Sequence, residues 1–346
     1  MILAAGLGSR LRPLTSSLPK PLVPILNQPL LWHLIRQVKA AGIDEIALNL
    51  HYRGEQIRHW LGRGRRLGVD VTYSDESELL GSAGGVRRLR EFFGHEQALI
   101  IHGDILFDVD LAAVIQYHFD RSAQATLVLH PAHQRYNYGM IRVNAQGEIG
   151  QFVNQLAPWV TGPLADTVFT GVQIITPEVL DTIPAASTGF LTTDIYPALL
   201  TRPSRLYGYL MHGYWSDIGT PRRYWETNMD VINGHVWATD GAPGEKALRQ
   251  VSEQRPEIVA GVVHSPVVLP SPFDVPAGAV IGPQVVVGTG CELAEDVHLV
   301  RSVLWPRVRV GRRVTIKDSI IMNDVAIPEG SHLVGKVVSP QEIMDF

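Results

Sequence analysis

The sequence predicts an α/β domain with a mostly parallel sheet, followed by a small parallel β-helix. Three observations carry this. Apolar strand-like runs alternate with amphipathic helical runs from residue 1 to about 130. A glycine-bearing loop directly follows the first of those strands. Beyond residue 261 the apolar period changes to six.

The elements follow in order. A short apolar strand over residues 2–5 breaks into a loop holding Gly6 and Gly8. Residues 30–41 carry apolar side chains at helical spacing and stop at Gly42, a favoured terminator. Residues 45–50 read as a buried strand, 54–61 as a helix, 69–73 as a strand and 84–93 as a further helix. Residues 98–101 form a strand running into His102-Gly103-Asp104. Ligands in such sheets sit beyond the carboxyl ends of the strands, so the Gly6/Gly8 loop and Asp104 can face one pocket. Residues 125–233 are more mixed, with strands expected at 125–130, 139–143, 168–175 and 206–211, and helices at 193–200 and 221–232. Residues 234–260 lack a clear period and read as a linker. The expected domains are therefore 1–233, carrying the site, and 261–346, the β-helix.

In that last segment Ile281, Val287, Leu293 and Leu299 recur every six residues, as do Val310, Ile316 and Met322. A second column comprises Ala279, Val285, Cys291, Val297 and Val303, then Val308, Val314 and Ile320. Gly282, Gly288 and Gly311 directly follow the first column. Such a repeat with a small corner residue resembles the left-handed parallel β-helix, against an ordinary β-sandwich. The phase slips by one residue between Leu299 and Val310, which predicts one irregular corner near Trp305-Pro306. Cys291 falls in an inward column and reads as a small core residue.

Composition narrows the function. Hydrophobic content of 45% and charged content of 18% are ordinary for a globular protein of 346 residues, long enough for two domains. A net charge of −4 argues against a nucleic-acid surface built on bulk positive charge. One cysteine excludes an internal disulfide and a cysteine zinc site. No apolar run approaches the roughly 18 residues of a membrane span, and no signal-peptide pattern precedes the first strand. The expected setting is the cytoplasm, with no membrane partner. That strand begins almost at Met1, which leaves open whether the native start lies upstream. His51, His102 and His130 read as structural residues at strand ends.

The opening loop reads Leu3-Ala-Ala-Gly-Leu-Gly-Ser-Arg10-Leu-Arg-Pro-Leu-Thr15, then Pro19-Lys20-Pro21. Glycines let backbone N–H groups close on an anion, arginine offers a planar fork to phosphate oxygens, and lysine a point charge. The pattern suits a polyphosphate. A dinucleotide-binding loop is disfavoured, because Leu11 stands where its third glycine belongs. The long gapless match resembles the signature loop of the sugar-1-phosphate nucleotidyltransferases, and within them the mannose-1-phosphate guanylyltransferase-like members with a C-terminal left-handed β-helix.

That resemblance implies attack of a sugar-1-phosphate on the α-phosphate of a nucleoside triphosphate, with release of pyrophosphate. The nucleophile is already anionic, so positioning and charge neutralisation carry the catalysis. It implies Mg²⁺ on a pair of aspartates, matched here by Asp104 in His-Gly-Asp and Asp217 in Trp215-Ser-Asp-Ile-Gly-Thr-Pro221. It gives Arg10 and Lys20 the catalytic cation roles beside Asp104, with Arg12 a weaker candidate. Nucleotide contacts fall on Leu3, Ala4, Ala5, Gly6, Gly8, Ser9 and Gly103. The run Glu78-Leu-Leu-Gly-Ser-Ala-Gly-Gly85 resembles the second nucleotide loop, placing Gly81 and Ser82 near base and ribose and Glu76 where a base-reading side chain belongs. A carboxylate accepts two hydrogen bonds from guanine, so Glu76 points to GTP. Sugar contacts are implied at Tyr138, Gly139, Thr170 and Gly171.

One stretch departs from the pattern. Many members carry Glu-Lys-Pro after a strand, with the lysine on the sugar phosphate; here Phe152-Val-Asn-Gln-Leu156 puts Asn154 and Gln155 there. The compensating cation would be Arg142 or Lys20. This opens the alternative of a regulatory paralogue that binds nucleotide-sugar with little catalysis. A further alternative is an added acyltransferase activity in the β-helix, for which His298 and His332 are the candidate bases. Partners are otherwise an NTP, a sugar-1-phosphate and a second copy of the chain through the β-helix.

Overall fold

The computed structural model describes residues 1–131, 140–236 and 261–346. The chain divides into two compact units: residues 1–7, 19–21 and 34–217 form one, and residues 8–18, 22–33 and 218–346 the other.

The first unit is built on one mixed sheet. Its parallel part places Ile2–Leu3 between Ala98–His102 and Glu45–Leu50, with Asp70–Asp75 outside the latter. The antiparallel part begins at Ala165–Ile175, which pairs with Ala98–His102, Ala125–Pro131 and Met140–Val143. Leu206–Leu210 adds in parallel to Ala125–Pro131. The strands are short and apolar because helices cover them: Ile2, Ala47, Leu48, Ile100 and Leu127 are all buried. Of the first strand only Ile2–Leu3 is regular, so Ala4 and Ala5 already belong to the loop.

Some elements differ from expectation. The helix read over 84–93 is two pieces, Gly81–Arg88 and Arg90–Phe93, broken at Leu89. The helix read over 193–200 opens with a wide turn, Leu191–Ile195, before Tyr196–Leu199, where Pro197 can be accommodated at a helix start. A helix at Leu111–Asp120 was not expected; Asp110 caps it, its Oδ1 accepting from the amides of Ala112 (2.9 Å) and Ala113 (3.2 Å). The linker read over 234–260 lies, from residue 237 on, outside the described residues.

In the second unit the six-residue columns become three parallel sheets of stacked short strands, a parallel β-helix. The inward stacks are Ile281–Leu299–Ile316, Val287–Leu304–Ile321 and Leu293–Val310–Ile327. Partners in the first turns lie 18 residues apart (Val280 and His298) and in later turns 17 (His298 and Thr315). The phase slip is therefore not one irregular corner at Trp305-Pro306. From Leu299 the inward positions advance by five, six and six on every turn, and Ile321 holds the place read for Met322. The short step falls at Val300–Ser302, where Arg301 takes a left-handed φ of 44°; Asp318 repeats it one turn on at 52°. The Arg301 guanidinium lies 2.6 Å from Asp318, and Arg307 stands likewise on Asp324 at the next corner. Cys291 is only half-buried, its thiol 3.1 Å from the Trp305 carbonyl, and burial raises its pKa. His298 and His332 stack in register with Thr315 between them, on the exposed face.

Within this unit the helix Pro221–Ile232 is started by Thr220, whose hydroxyl accepts from the Arg223 amide at 3.3 Å. The helix ties to the coil. The Trp225 indole donates to the Arg301 carbonyl, and the Trp305 indole donates to the Tyr224 hydroxyl at 2.8 Å, which in turn donates to the Pro24 carbonyl at 2.7 Å.

Candidate active site

The site is built where the parallel strands of the first unit end. Strand Ala98–His102 delivers His102, Gly103 and Asp104 beside the end of Ile2–Leu3. The Gly103 amide donates to the Leu3 carbonyl at 2.9 Å, and a β-carbon on Gly103 would lie 2.5 Å from that oxygen. Only glycine permits this approach. It brings Asp104 alongside the first strand's loop.

Asp217 arrives from 113 residues later by strand pairing. Trp215–Asp217 runs antiparallel to Ile105–Phe107, with Asp217 opposite Ile105, the neighbour of Asp104. The Trp215 indole donates to the Thr170 carbonyl at 2.8 Å and fixes that strand. Between the two acids lies the Lys20 ammonium, 2.6 Å from Asp104 Oδ2 and 3.7 Å from Asp217 Oδ1. Lys20 is 8% exposed. A buried lysine costs free energy unless its charge is matched, and here two carboxylates match it.

A cavity of about 390 Å³ opens at these strand ends, within the usual range for small-molecule sites. It gathers the loop residues Leu3, Ala4, Ala5 and Gly6 with Lys20, Gly103 and Asp104. Glu76, Gly81 and Ser82 enter from the second glycine loop. Its wall also contains residues not anticipated: Asn49, Leu79, His102, Thr188, Phe190 and Thr192. Asn49 had a sequence signal, being the one polar residue inside the buried part of strand Glu45–Leu50. Residues 188–192 carry no motif.

Burial holds the His102 imidazole below its ordinary pKa, against an opposing pull from Asp104. Its ring meets Phe169 edge-on at 5.6 Å. Gly171 sits against it, in a left-handed conformation (φ 94°), where a β-carbon would lie 3.0 Å from the His102 side chain. The Thr170 hydroxyl donates to the Val128 carbonyl at 2.8 Å. Thr170 and Gly171 thus hold the sheet behind the site and do not line the cavity. Asn154 is on an exposed turn away from that lining. The Gln155 amide donates to the Leu156 carbonyl, and Arg142 is bound to Asp166 at 2.6 Å. Tyr138 and Gly139 lie outside the described residues.

Gly8, Ser9 and Arg10 belong to the second unit. Gly8 takes a left-handed φ of 62°, Ser9–Leu11 form one 3₁₀ turn, and the Thr15 hydroxyl donates to the Gly8 carbonyl at 2.7 Å. Arg10 is exposed.

The second glycine loop, besides lining the cavity at Gly81 and Ser82, packs its glycines against protein. A β-carbon on Gly81 would run into the Gly189 carbonyl, and one on Gly84 into the Ser187 carbonyl. One on Gly85 would meet Asn49 Nδ2 and Glu76 Oε1 at 2.9 Å. The Ala83 amide donates to the Gly189 carbonyl, and the Leu191 amide to the Ser82 hydroxyl at 2.9 Å. These small residues make room for the chain at 187–191.

Asp104, in the turn before strand Ile105–Phe107, and Asp217, on the strand paired with it, form an oxygen-only donor pair, which suits a hard divalent cation that also takes substrate phosphates and waters. Among the described residues no group of three or more His, Cys, Asp or Glu is placed to cage a metal by itself. A cation with few protein ligands fits this pair; a soft or fully caged one does not.

The chain is similar to known proteins along most of its length. Residues 1–234 match the Nucleotidyl transferase family and residues 263–344 the GMPPB C-terminal domain. A UTP--glucose-1-phosphate uridylyltransferase of Synechocystis sp. is 30% identical, covering 93% of this chain and 86% of its own. A mannose-1-phosphate guanylyltransferase of Mycobacterium tuberculosis is 29% identical, covering 90% and 80%. Among solved structures, a putative glucose-1-phosphate thymidylyltransferase from Bacillus anthracis superposes with a TM-score of 0.57 at 25% identity, over 66% of this chain and 92% of that one. The chain is therefore a member of the nucleotidyl transferase family.

Proposed function

We propose that this enzyme transfers a nucleotidyl group from an NTP to a sugar-1-phosphate, giving an NDP-sugar and pyrophosphate. The observation that carries the reading is the Lys20 ammonium held between Asp104 and Asp217 at the cavity formed by the Gly6 loop and Gly103. The chemistry needs few parts. A sugar phosphate is already ionised near neutral pH, so no general base is required. Lys20 presents a positive charge to incoming phosphate oxygens, and the open backbone at Gly6 lets amides approach them. Arg10 is given the fork for the α-phosphate and the leaving pyrophosphate by its place in the signature loop alone. Asp104 and Asp217 would hold Mg²⁺, which when bound neutralises phosphate charge.

GTP and mannose-1-phosphate are the preferred pair. The support is that relatives from Mycobacterium tuberculosis, rice and Arabidopsis are named mannose-1-phosphate guanylyltransferases, although the Synechocystis relative is named for UTP and glucose-1-phosphate. The same reading assigns the parallel coil to self-association, which sedimentation tests.

The deciding experiment is pyrophosphate release across four NTPs and several sugar-1-phosphates with Mg²⁺. Release with at least one pair is expected, and Asp104→Ala should lower it by about a hundredfold or more while leaving the circular dichroism spectrum intact. Full activity in Asp104→Ala would remove the metal assignment. Folded protein that releases nothing with any pair would instead favour the regulatory paralogue, to which the missing lysine at Gln155 points.

A further inference from the structure

A buried polar chain links the two loops of the cavity. The Ala4 amide, in the opening loop, donates to Asn49 Oδ1 at 2.9 Å. Asn49 Nδ2 donates to Glu76 Oε1 at 2.8 Å. Glu76 Oε2 accepts from the Leu80 amide at 3.2 Å, at the start of the second glycine loop. Asn49 and Glu76 are 3% and 5% exposed. The Asn49 amide has only one workable orientation, with an N–H on one side and a carboxylate on the other. Around them the backbone is also fixed: the Glu76 amide donates to the Leu50 carbonyl at 2.7 Å, and the Glu76 carbonyl is 2.8 Å from His51 Nδ1. Gly85 closes the enclosure, since any side chain there would strike both partners.

We infer that Asn49 and Glu76 are positioning residues, a brace that sets the spacing between the phosphate-facing loop and the second glycine loop. This rests on the cavity being the NTP site, as proposed above. Both Glu76 oxygens serve protein donors, an employment different from reading guanine. A buried carboxylate is costly without such donors; one comes from Asn49, the strand residue that holds the Ala4 amide of the opening loop, and the other from the second glycine loop. Glu76 works here because it accepts twice, Asn49 because it accepts once and donates once.

The donor pattern can be reversed, which gives the test. Glu76→Gln leaves one acceptor for two donors. Asn49→Asp keeps the Ala4 bond but turns an oxygen on the Glu76 carboxylate. With both changes, the carboxylate at position 49 would accept from the Ala4 amide and from the side-chain amide at position 76, whose own oxygen would accept from Leu80. Each single variant is expected to raise the NTP KM about tenfold, equally for every base, with a smaller change in kcat. The double variant should recover to within about threefold. Melting temperatures of the four proteins, measured without substrate, should show the same rescue. A double variant as impaired as the two singles combined, in KM and in melting temperature, overturns the brace. So does a Glu76→Gln enzyme that simply exchanges GTP for UTP, which would make Glu76 the base reader. If the wild-type protein releases no pyrophosphate with any pair, the enzymatic reading falls, and the melting cycle alone decides the brace.

Discussion

The two glycine loops look alike in sequence and differ in what their glycines do. At Gly6 an added β-carbon would meet nothing within 4 Å, and the residue is exposed at the cavity. At Gly81, Gly84 and Gly85 an added β-carbon would strike other parts of the same chain. Both loops line the cavity, but the space beside Gly6 is open, whereas the space beside the second loop's glycines is filled by protein. A glycine-rich motif therefore marks close approach without saying by what.

That contrast can be broken at three places. The largest effect is expected from Gly84→Ala, whose methyl group would press on the Ser187 carbonyl; overpacking of this kind costs about 1–3 kcal/mol, visible as a lower melting temperature. An unchanged melting temperature would mean the 187–191 segment yields freely. Ser82→Ala comes next. It removes the acceptor of the Leu191 amide and should cost about 1 kcal/mol by denaturant unfolding. Activity lost with no loss of stability would return Ser82 to direct ligand contact. Gly6→Ala should change stability least, by under about 0.5 kcal/mol. It should nevertheless raise the NTP KM severalfold, and a wild-type KM would show that no ligand backs onto this loop.

Much of the site was legible because its parts are local. Lys20 in Pro-Lys-Pro and Asp104 in His-Gly-Asp announce themselves by residue type and by strand ends, and the structure brings them to 2.6 Å. Asp217 was legible by motif, yet its route to Asp104 was not, since an antiparallel pairing of Asp217 with Ile105, 112 residues away, leaves no periodic trace. The brace escaped for a related reason. Asn49 stands out in an apolar strand, but its partners are the Ala4 amide and the Glu76 carboxylate, and only folding makes them neighbours. The segment at 188–192 gave no signal at all, because its hydrogen bonds to the second loop run through its own backbone at Gly189 and Leu191, which residue type does not reveal. In the coil the six-residue period was plain. The recurring five-residue step was not, because a single slip in a short window looks like one fault, whereas stacked partners expose it as a rule.

The coil ends in a reversal. After Lys336–Val338, which continues the parallel stack, the strand Ile343–Asp345 folds back antiparallel against it, and Lys336 meets Asp345 at 2.6 Å. A stack of identical parallel rungs presents at its end a ladder of unpaired amides and carbonyls, onto which a further rung could add. The returning strand faces the opposite way and occupies that ladder on its sheet. It acts as a doorstop: it converts a repeat that could in principle be extended indefinitely into one with a defined last turn on that face.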